Sequence, residues 1–482
     1  MLVASMAQDV MRDTELLAEA LDRLEGEFSA LPGYTPEIPG EKRMAAVLAE
    51  AAHRLGDNFP YFHPLYAGQM LKPPHPVARA AYAMAMWLNP NNHALDGGRA
   101  SSRMEWEAVR EIAAMFGWSE FIGHLTGGGT LANLEALWVA GQMMPGKKIV
   151  ASEQAHYTHQ RITGVLRLPF ASIVCDEQGR MDLPHLQAAL ASGEVGTVVA
   201  TLGTTGSGAV DPLGPILDLR EKFRFRLHVD AAYGGYFRLA SNLCGDAANA
   251  FERITEADSI VVDPHKHGLQ PYGCGCVLFR DPAMGRWYKH DSPCTYFTSQ
   301  ELHIHGGTQA AQPGASCAVG SFAAELFAEG SLHLGEISLE CSRAGASAVA
   351  LWTTQRLLPL VPGGEFANDL EKCREAALRL HSIIASDPRF VAGPAPDLDI
   401  VVWAMRAPTL AESSRRAQDV FDRAAKHDLH LALAQMPARL FPGAAWTGAG
   451  DGGVVTCLRS VLMKPEHFAW IDRISDRLRQ AG

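Results

Sequence analysis

The feature that most constrains the fold is the stretch 258–279, where a lysine lies between two apolar runs. The first run, 260–262, has the β-branched composition of a buried strand, and the second resumes at 276–279. Lys266 sits in the polar break between them with a histidine on each side. A crowded lysine gives up its proton readily and becomes a nucleophilic amine, the form that makes a Schiff base. From these residues alone, a plain loop lysine at a strand end is the equal alternative.

The composition excludes several classes of protein. A length of 482 residues, with 47% hydrophobic and 20% charged residues, is typical of a globular protein of two or three domains. The net charge of -11 argues against a general nucleic-acid surface. No apolar run reaches about 18 residues and no basic-then-apolar leader occurs, so we expect neither a membrane span nor a signal peptide. The nine scattered cysteines lack zinc-site spacing, which predicts no metal site and a cytoplasmic location.

A glycine-rich segment supplies a candidate anion site. Three glycines at 127–129 lead directly into an apolar helical segment at 131–140. Glycines before a helix let backbone N–H groups approach an anion closely, and the helix dipole adds attraction. The spacing matches neither a Walker A loop nor a dinucleotide-binding fingerprint, and the residues before it do not predict a strong strand. The sequence therefore predicts a phosphate seat here, with a plain turn as the alternative.

Strands and helices alternate after residue 148, which predicts an α/β layer with a largely parallel, buried sheet. Polar residues follow the apolar runs, at the strand ends where ligands bind in open α/β sheets. We expect three regions: an N-terminal helical segment at 1–85, a large α/β domain at 86–360, and a small α+β domain at 361–482. A Pro- and Gly-rich stretch at 359–364 marks the hinge between the last two.

Seven short motifs occur in one order: FHPLYAG, HLTGGGT, SEQAH, ATLGTTGSGAVDP, HVDAAYGG, VDPHKHG and CSRAGA. This ordered set resembles the group II amino-acid decarboxylases, which belong to the fold-type I pyridoxal-phosphate enzymes. The resemblance covers roughly residues 58 to 360. It implies an aspartate-aminotransferase-like large domain with a mainly parallel seven-stranded sheet, followed by the small domain. It also implies pyridoxal 5'-phosphate as cofactor and a homodimer with the active site at the interface.

The resemblance implies a role for each matching residue. Lys266 would hold the cofactor as an internal aldimine, and Asp230 would pair with the pyridine nitrogen. His156 and Ala232 would pack on the two faces of the cofactor ring, and Thr205 would approach the ring substituents. The phosphate would be held by Gly128, Gly129, Thr130 and His265. Chemistry supports these residue types independently, because an electron-draining ring needs a protonated nitrogen and a buried carboxylate stabilises that charge.

On the substrate side, the resemblance implies roles for His63 and Arg343, with Arg343 on a carboxylate. It also implies a tyrosine on a mobile loop that protonates the carbon after carbon dioxide leaves. Tyr296 falls at that place, with Phe297 beside it. A lid-packing aromatic without a chemical role is the alternative for Tyr296.

The function implied is decarboxylation of an L-amino acid to its amine through an external aldimine and a quinonoid. Two alternatives use the same scaffold: a carbon–carbon lyase related to sphingosine-phosphate lyase, and an aldehyde synthase. A cofactor-binding protein without turnover is a third, which the intact Lys266, Asp230 and His156 disfavour. The expected partner is a small-molecule amino-acid substrate, with no nucleic acid and no membrane. Aromatic residues at 59–66 permit an aromatic substrate, whereas the arginines and histidines permit an acidic one.

Overall fold

The structure is a computed structural model that describes residues 2–35, 37, 40–243, 245–288, 337–447 and 453–482. Its helices, in chain order, are α1 (Leu2–Gly26), α2 (Glu41–Leu55), α3 (Pro76–Met86), α4 (Leu95–Met115), α5 (Gly129–Met143), α6 (Thr158–Leu166), α7 (Leu183–Ala191), α8 (Leu213–Lys222), α9 (Gly245–Arg253), α10 (Gly345–Leu357), α11 (Glu365–Ser386), α12 (Leu410–Lys426) and α13 (His467–Ala481). Among the described residues, no helix is long and apolar enough to cross a bilayer.

The first sheet has seven strands in the spatial order β1-β7-β6-β5-β4-β2-β3. These strands are β1 (Ile122–Thr126), β2 (Lys148–Ser152), β3 (Phe170–Ile173), β4 (Val195–Thr201), β5 (Arg226–Asp230), β6 (Ser259–Val262) and β7 (Gly275–Phe279). All neighbouring pairs are parallel except the two that β7 makes with β1 and β6. The expected mainly parallel seven-stranded sheet is therefore confirmed.

The central strands of this sheet are covered on both faces. Every residue of β4, β6 and β7 is buried. Their β-branched and small residues form continuous apolar runs, as expected for strands that contact helices on each side. Because these strands are held by packing on both faces, the residues that follow β4, β5 and β6 are held in defined positions at the edge of the sheet.

The expectation that no strong strand precedes the glycine loop is wrong. β1 runs from Ile122 to Thr126 and leads directly into the loop. Its sequence, IGHLT, weakens the strand signal with Gly123 and His124. Tertiary contacts explain both residues. A side chain at Gly123 would meet the Val277 carbonyl oxygen at 2.5 Å, and the buried His124 pairs with Glu135 of α5 at 2.9 Å.

The second sheet is antiparallel, with four strands in the order β10-β11-β9-β8. They are β8 (Phe390–Ala392), β9 (Ile400–Met405), β10 (Ala432–Pro437) and β11 (Val454–Val461). Helices α11, α12 and α13 contact this sheet or each other, and Trp403 of β9 is fully buried in the shared core. The predicted α+β character of the C-terminal region is confirmed, because the apolar run at 400–403 forms β9.

Candidate active site

The carboxyl ends of the central strands meet the amino end of α5 around a cavity of about 580 Å³. Residues from both sides line it: Gly127, Gly128, Gly129, Thr130, Leu131, Asn133, Leu134, His156, Thr158, Thr201, Gly203, Thr205, Asp230, Ala232, Tyr233, Asp263, His265, Lys266 and Glu340. A volume of several hundred Å³ is ordinary for a cofactor site with its substrate.

The structure brings together nine of the residues selected from the sequence. All of these line the cavity: Gly128, Gly129, Thr130, His156, Thr205, Asp230, Ala232, His265 and Lys266. His63 and Arg343 are not among the described residues that line it. Tyr296 and Phe297 lie outside the described residues.

Lys266 follows β6 in a short turn and keeps part of its side chain accessible from the cavity. Its Nζ lies 3.0 Å from Oδ2 of Asp263, and its side chain is 22% exposed. Asp263 is buried, and its backbone oxygen accepts the Lys266 N–H. The turn therefore fixes both the backbone and the amine of the lysine. Sequence reasoning missed Asp263, although it stands in the same motif three residues earlier.

Asp230 ends β5 and is buried at the floor of the cavity. Its Oδ1 accepts the Ala232 N–H at 3.1 Å, and its Oδ2 lies 2.8 Å from Nε2 of His159. Burial alone would raise the pKa of this carboxyl. The hydrogen bond from His159 and the charge of Lys266 outweigh burial and hold the pKa of Asp230 well below its ordinary value. The site thus contains a buried carboxylate that stays ionised.

A histidine beside the cavity is held neutral. His228 lies on β5 two residues before Asp230, and burial lowers its pKa to about 3. Its ring nitrogens lie 2.9 Å from Oγ of Ser259 and 2.8 Å from Oδ1 of Asn133. Since Asn133 lines the cavity from α5, His228 ties the helix to the sheet without adding a charge.

The glycine loop has the geometry of an anion cradle. Gly128 adopts a φ of 144°, which side chains rarely tolerate, and α5 begins at the next residue. A side chain at Gly129 would meet Oδ2 of Asp263 at 2.6 Å. Among the described residues, no side chain caps the start of α5, and the first residues of this helix line the cavity, so this helix end can accept an anion. Together with the amine and the buried carboxylate, this cradle fits pyridoxal phosphate.

His156 and Glu340 complete the described wall. His156 has its Nδ1 2.7 Å from Oγ1 of Thr158, which fixes the ring orientation. Burial lowers the pKa of His156, so its ring is neutral and suited to stacking. Oε2 of Glu340 accepts the Gly127 N–H at 2.8 Å and brings a carboxylate to the edge of the glycine loop. Sequence reasoning missed Glu340 because it is 213 residues away from its partner.

The structure does not support a substrate contact for Arg343. Its guanidinium is buried, and Nη1 donates to Glu105 of α4 and to the Leu125 carbonyl. Nη2 donates to the Asn92 carbonyl at 2.9 Å. These partners engage both terminal nitrogens, whereas Nε is buried and has no hydrogen-bond partner among the described residues. In this structure Arg343 is therefore part of a buried ion pair, and its expected role on a substrate carboxylate remains a prediction.

His63 is also placed away from the cavity. Its Nδ1 accepts the Leu65 N–H at 3.1 Å, and its ring lies against Trp470 of α13 with the centroids 5.0 Å apart. Within the single chain it therefore contacts the C-terminal region. Its expected role on the substrate side remains a prediction that needs a second chain.

Comparison with known proteins identifies the class of chemistry. Residues 89–286 match the pyridoxal-dependent decarboxylase conserved domain. The chain is 28% identical to the L-tyrosine decarboxylase of Enterococcus faecium over 480 residues, which cover 77% of this chain and 74% of that protein. It is 30% identical over 258 residues to a probable L-tyrosine/L-aspartate decarboxylase of Methanosphaerula palustris, covering 53% of this chain and 68% of that protein.

The fold is similar to that of a plant protein of known structure. The structure of Oryza sativa TDC with PLP and tryptamine superimposes with a TM-score of 0.71 at 18% identity, covering 98% of both chains. The matched domain and the relatives show a carboxy-lyase that uses pyridoxal phosphate. The chain therefore belongs to the pyridoxal-dependent decarboxylase family and removes the carboxyl group of an amino acid.

Proposed function

We propose that the substrate is an L-amino acid with an uncharged, aromatic side chain, and that the product is its amine. The observation that carries this proposal is the charge of the cavity. Its described lining contains three carboxylates, on Asp230, Asp263 and Glu340, and a single lysine. Burial lowers the pKa of His156 and of His265, so neither ring offsets the carboxylates near neutral pH. An acidic side chain would meet net repulsion there.

The apolar part of the wall supports an aromatic side chain. Leu131 and Leu134 of α5 and the buried ring of Tyr233 line the same cavity as Lys266. The relative from E. faecium, an L-tyrosine decarboxylase, agrees with this choice. A basic side chain is the second candidate, because Glu340 could pair with it.

Pyridoxal phosphate, when bound, supplies an electron sink for the carbon that loses carbon dioxide. In our proposal Lys266 holds the cofactor covalently, and the cradle at 127–129 takes its phosphate. Asp230 keeps a proton on the ring nitrogen, because an ionised carboxylate stabilises that charge. The ring of His156 packs on the cofactor, with Ala232 on the other face.

We propose that Arg459, which sequence reasoning missed, binds the carboxylate of the substrate. The resemblance implied this role for Arg343. Its buried guanidinium donates through Nε to the Gly206 carbonyl at 3.0 Å, and through Nη1 to the Gly68 carbonyl. Its Nη2 is buried and has no hydrogen-bond partner among the described residues. Gly206 follows Thr205, which lines the cavity, so Arg459 contacts the loop that forms part of the cavity wall.

Three further proposals concern the final proton, the assembly and the location. Tyr296, which lies outside the described residues, donates the proton to the carbon that lost its carboxylate. Exposed apolar residues on α2 support a homodimer with the active site at its interface. The six described cysteines are all free thiols, which agrees with a reducing cytoplasm.

The two sheets support the proposed division of the chain. The seven-stranded sheet lies within 86–360 and the four-stranded sheet within 361–482. The first 85 residues contain α1 and α2 and most of α3.

Carbon dioxide release from a panel of amino acids tests the substrate proposal. Tyrosine, tryptophan and phenylalanine are compared with aspartate, glutamate and 2,4-diaminobutyrate at equal concentration. We expect the aromatic amino acids to give a kcat/KM at least tenfold above the acidic ones. A preference for aspartate would overturn the charge argument. A preference for diaminobutyrate would instead assign Glu340 to a basic side chain.

A further inference from the structure

A second histidine lies behind the cofactor-facing carboxylate. His159 is the second residue of α6, is 1% exposed, and holds Nε2 2.8 Å from Oδ2 of Asp230. Asp230 is also shielded from solvent, with a side chain that is 5% exposed. The contact joins α6 to β5 and is separated from solvent. His159 does not line the cavity, so it reaches the reaction only through Asp230.

The hydrogen-bond partners fix where the proton of this pair resides. An ionised carboxylate only accepts hydrogen bonds, so the proton lies on Nε2 of His159. Nδ1 of His159 is buried and has no hydrogen-bond partner among the described residues. A neutral ring with its hydrogen on Nε2 needs no second acceptor, whereas a charged ring would leave a buried N–H unpaired. His159 is therefore a neutral donor to Asp230.

Two donors then hold the carboxylate in one orientation. The Ala232 N–H occupies Oδ1 of Asp230 and His159 occupies Oδ2, so the group cannot rotate without losing one of them. Each donor stabilises the ionised form over the protonated form. Within the described part of the chain, the other titratable groups near Asp230 are His156, His228 and Lys266. Of these, His228 is bonded to Asn133 and Ser259 and gives Asp230 no hydrogen bond.

We propose that His159 is a positioning residue that keeps the shared proton on the pyridine nitrogen of the cofactor rather than on Asp230. The inference rests on the proposed pairing of Asp230 with that nitrogen. A carboxylate without the His159 hydrogen bond is more basic, so the proton moves towards Asp230. The cofactor ring then loses positive charge and stabilises the carbanion less well. His159 thus acts on the rate of the reaction and not on substrate binding.

The test uses holoenzyme with a cofactor labelled with ¹⁵N at the ring nitrogen, whose chemical shift reports protonation directly. His159→Phe removes the donor, whereas His159→Gln keeps an N–H of similar reach. We expect the Phe variant to shift towards the unprotonated value and to lose about 10- to 100-fold in kcat at nearly unchanged KM. The Gln variant should recover most of both. If the Phe variant does not fold, His159→Met also removes the hydrogen-bond donor, with a flexible side chain in place of a ring.

Asp230→Asn, measured in the same way, separates this inference from the proposed function. If Asp230→Asn moves the ¹⁵N signal and the donor-free His159 variants do not, the role of His159 is overturned and that of Asp230 stands. If Asp230→Asn leaves the signal unchanged, the pairing itself is wrong. His381→Phe is the control, because His381 bonds to the Gly393 carbonyl in the C-terminal region. Its signal should equal that of the wild type.

Discussion

Arg343 and Glu105 form a buried ion pair that connects the start of α10 to α4. Glu105 also accepts hydrogen bonds from the Leu125 N–H at 3.0 Å and from Nδ2 of Asn92 at 2.6 Å. Leu125 lies in β1, immediately before the glycine loop. The pair therefore supports the strand from which the anion cradle emerges, and its charges compensate each other away from water.

Breaking this pair should cost stability and spare substrate affinity. We expect Arg343→Met to lower the free energy of unfolding by about 3–5 kcal/mol, because it leaves Glu105 buried without its partner. Urea unfolding measures the loss, and steady-state kinetics should give an unchanged KM. Arg356→Met is the matched control: its ion pairs with Glu107 and Glu111 are 46% exposed on the arginine side, so we expect less than about 1 kcal/mol. A raised KM at full stability would return Arg343 to the substrate side.

Buried neutral histidines should make the fold sensitive to acid. Burial lowers the pKa of His228 and of His467 to about 3, against an ordinary value of 6.5. Between these values the unfolded chain binds more protons than the folded chain. The stability due to each ring is complete above pH 6.5 and is lost as the pH falls towards 3, by about 1.4 kcal/mol per pH unit.

Urea unfolding at pH 7, 6 and 5 measures this slope. His467→Asn should make the slope shallower by about the contribution of one bound proton. Equal slopes in wild type and His467→Asn would show that the ring of His467 is already charged in the folded chain.

The local motifs predicted more of the site than the long-range contacts did. Lys266 and the glycine loop could be found because their chemistry depends on adjacent residues. The pair of His159 and Asp230 spans 71 residues and depends on how α6 packs against β5, which no local pattern encodes. For the same reason, Arg343 was not recognised as the partner of Glu105. Its motif indicates a functional arginine, but only the fold shows that Glu105 occupies it.

Tyr296→Phe should change the product. Without a phenol to donate the proton, the carbon that lost its carboxylate is exposed to oxygen or water. We expect aldehyde and ammonia to rise at the expense of amine, measured by chromatography of the products. Phe297→Leu is the neighbouring control and should still give amine. Clean amine from Tyr296→Phe at the wild-type rate would remove Tyr296 from the mechanism.

The exposed face of α2 should hold the dimer together. Val47 and Leu48 are 60% and 69% exposed, and no residue of this fully described helix is buried. We expect a Val47→Glu, Leu48→Glu double variant to shift sedimentation from dimer to monomer and to lose activity, because a charge in an apolar interface is costly. Val165→Glu, at 73% exposure on α6, is the control and should remain dimeric. A double variant that stays dimeric would exclude α2 from the interface.

The most direct test of the account is to find the lysine that carries the cofactor. Borohydride reduction of the holoenzyme, followed by proteolysis and mass spectrometry, fixes the cofactor on its attachment site. We predict a single phosphopyridoxyl group on the peptide containing Lys266, and none on Lys266→Ala. Lys72 and Lys464 are the competitors, since burial lowers the pKa of both amines. A label on either of them in the wild-type enzyme would contradict the assignment of the active site.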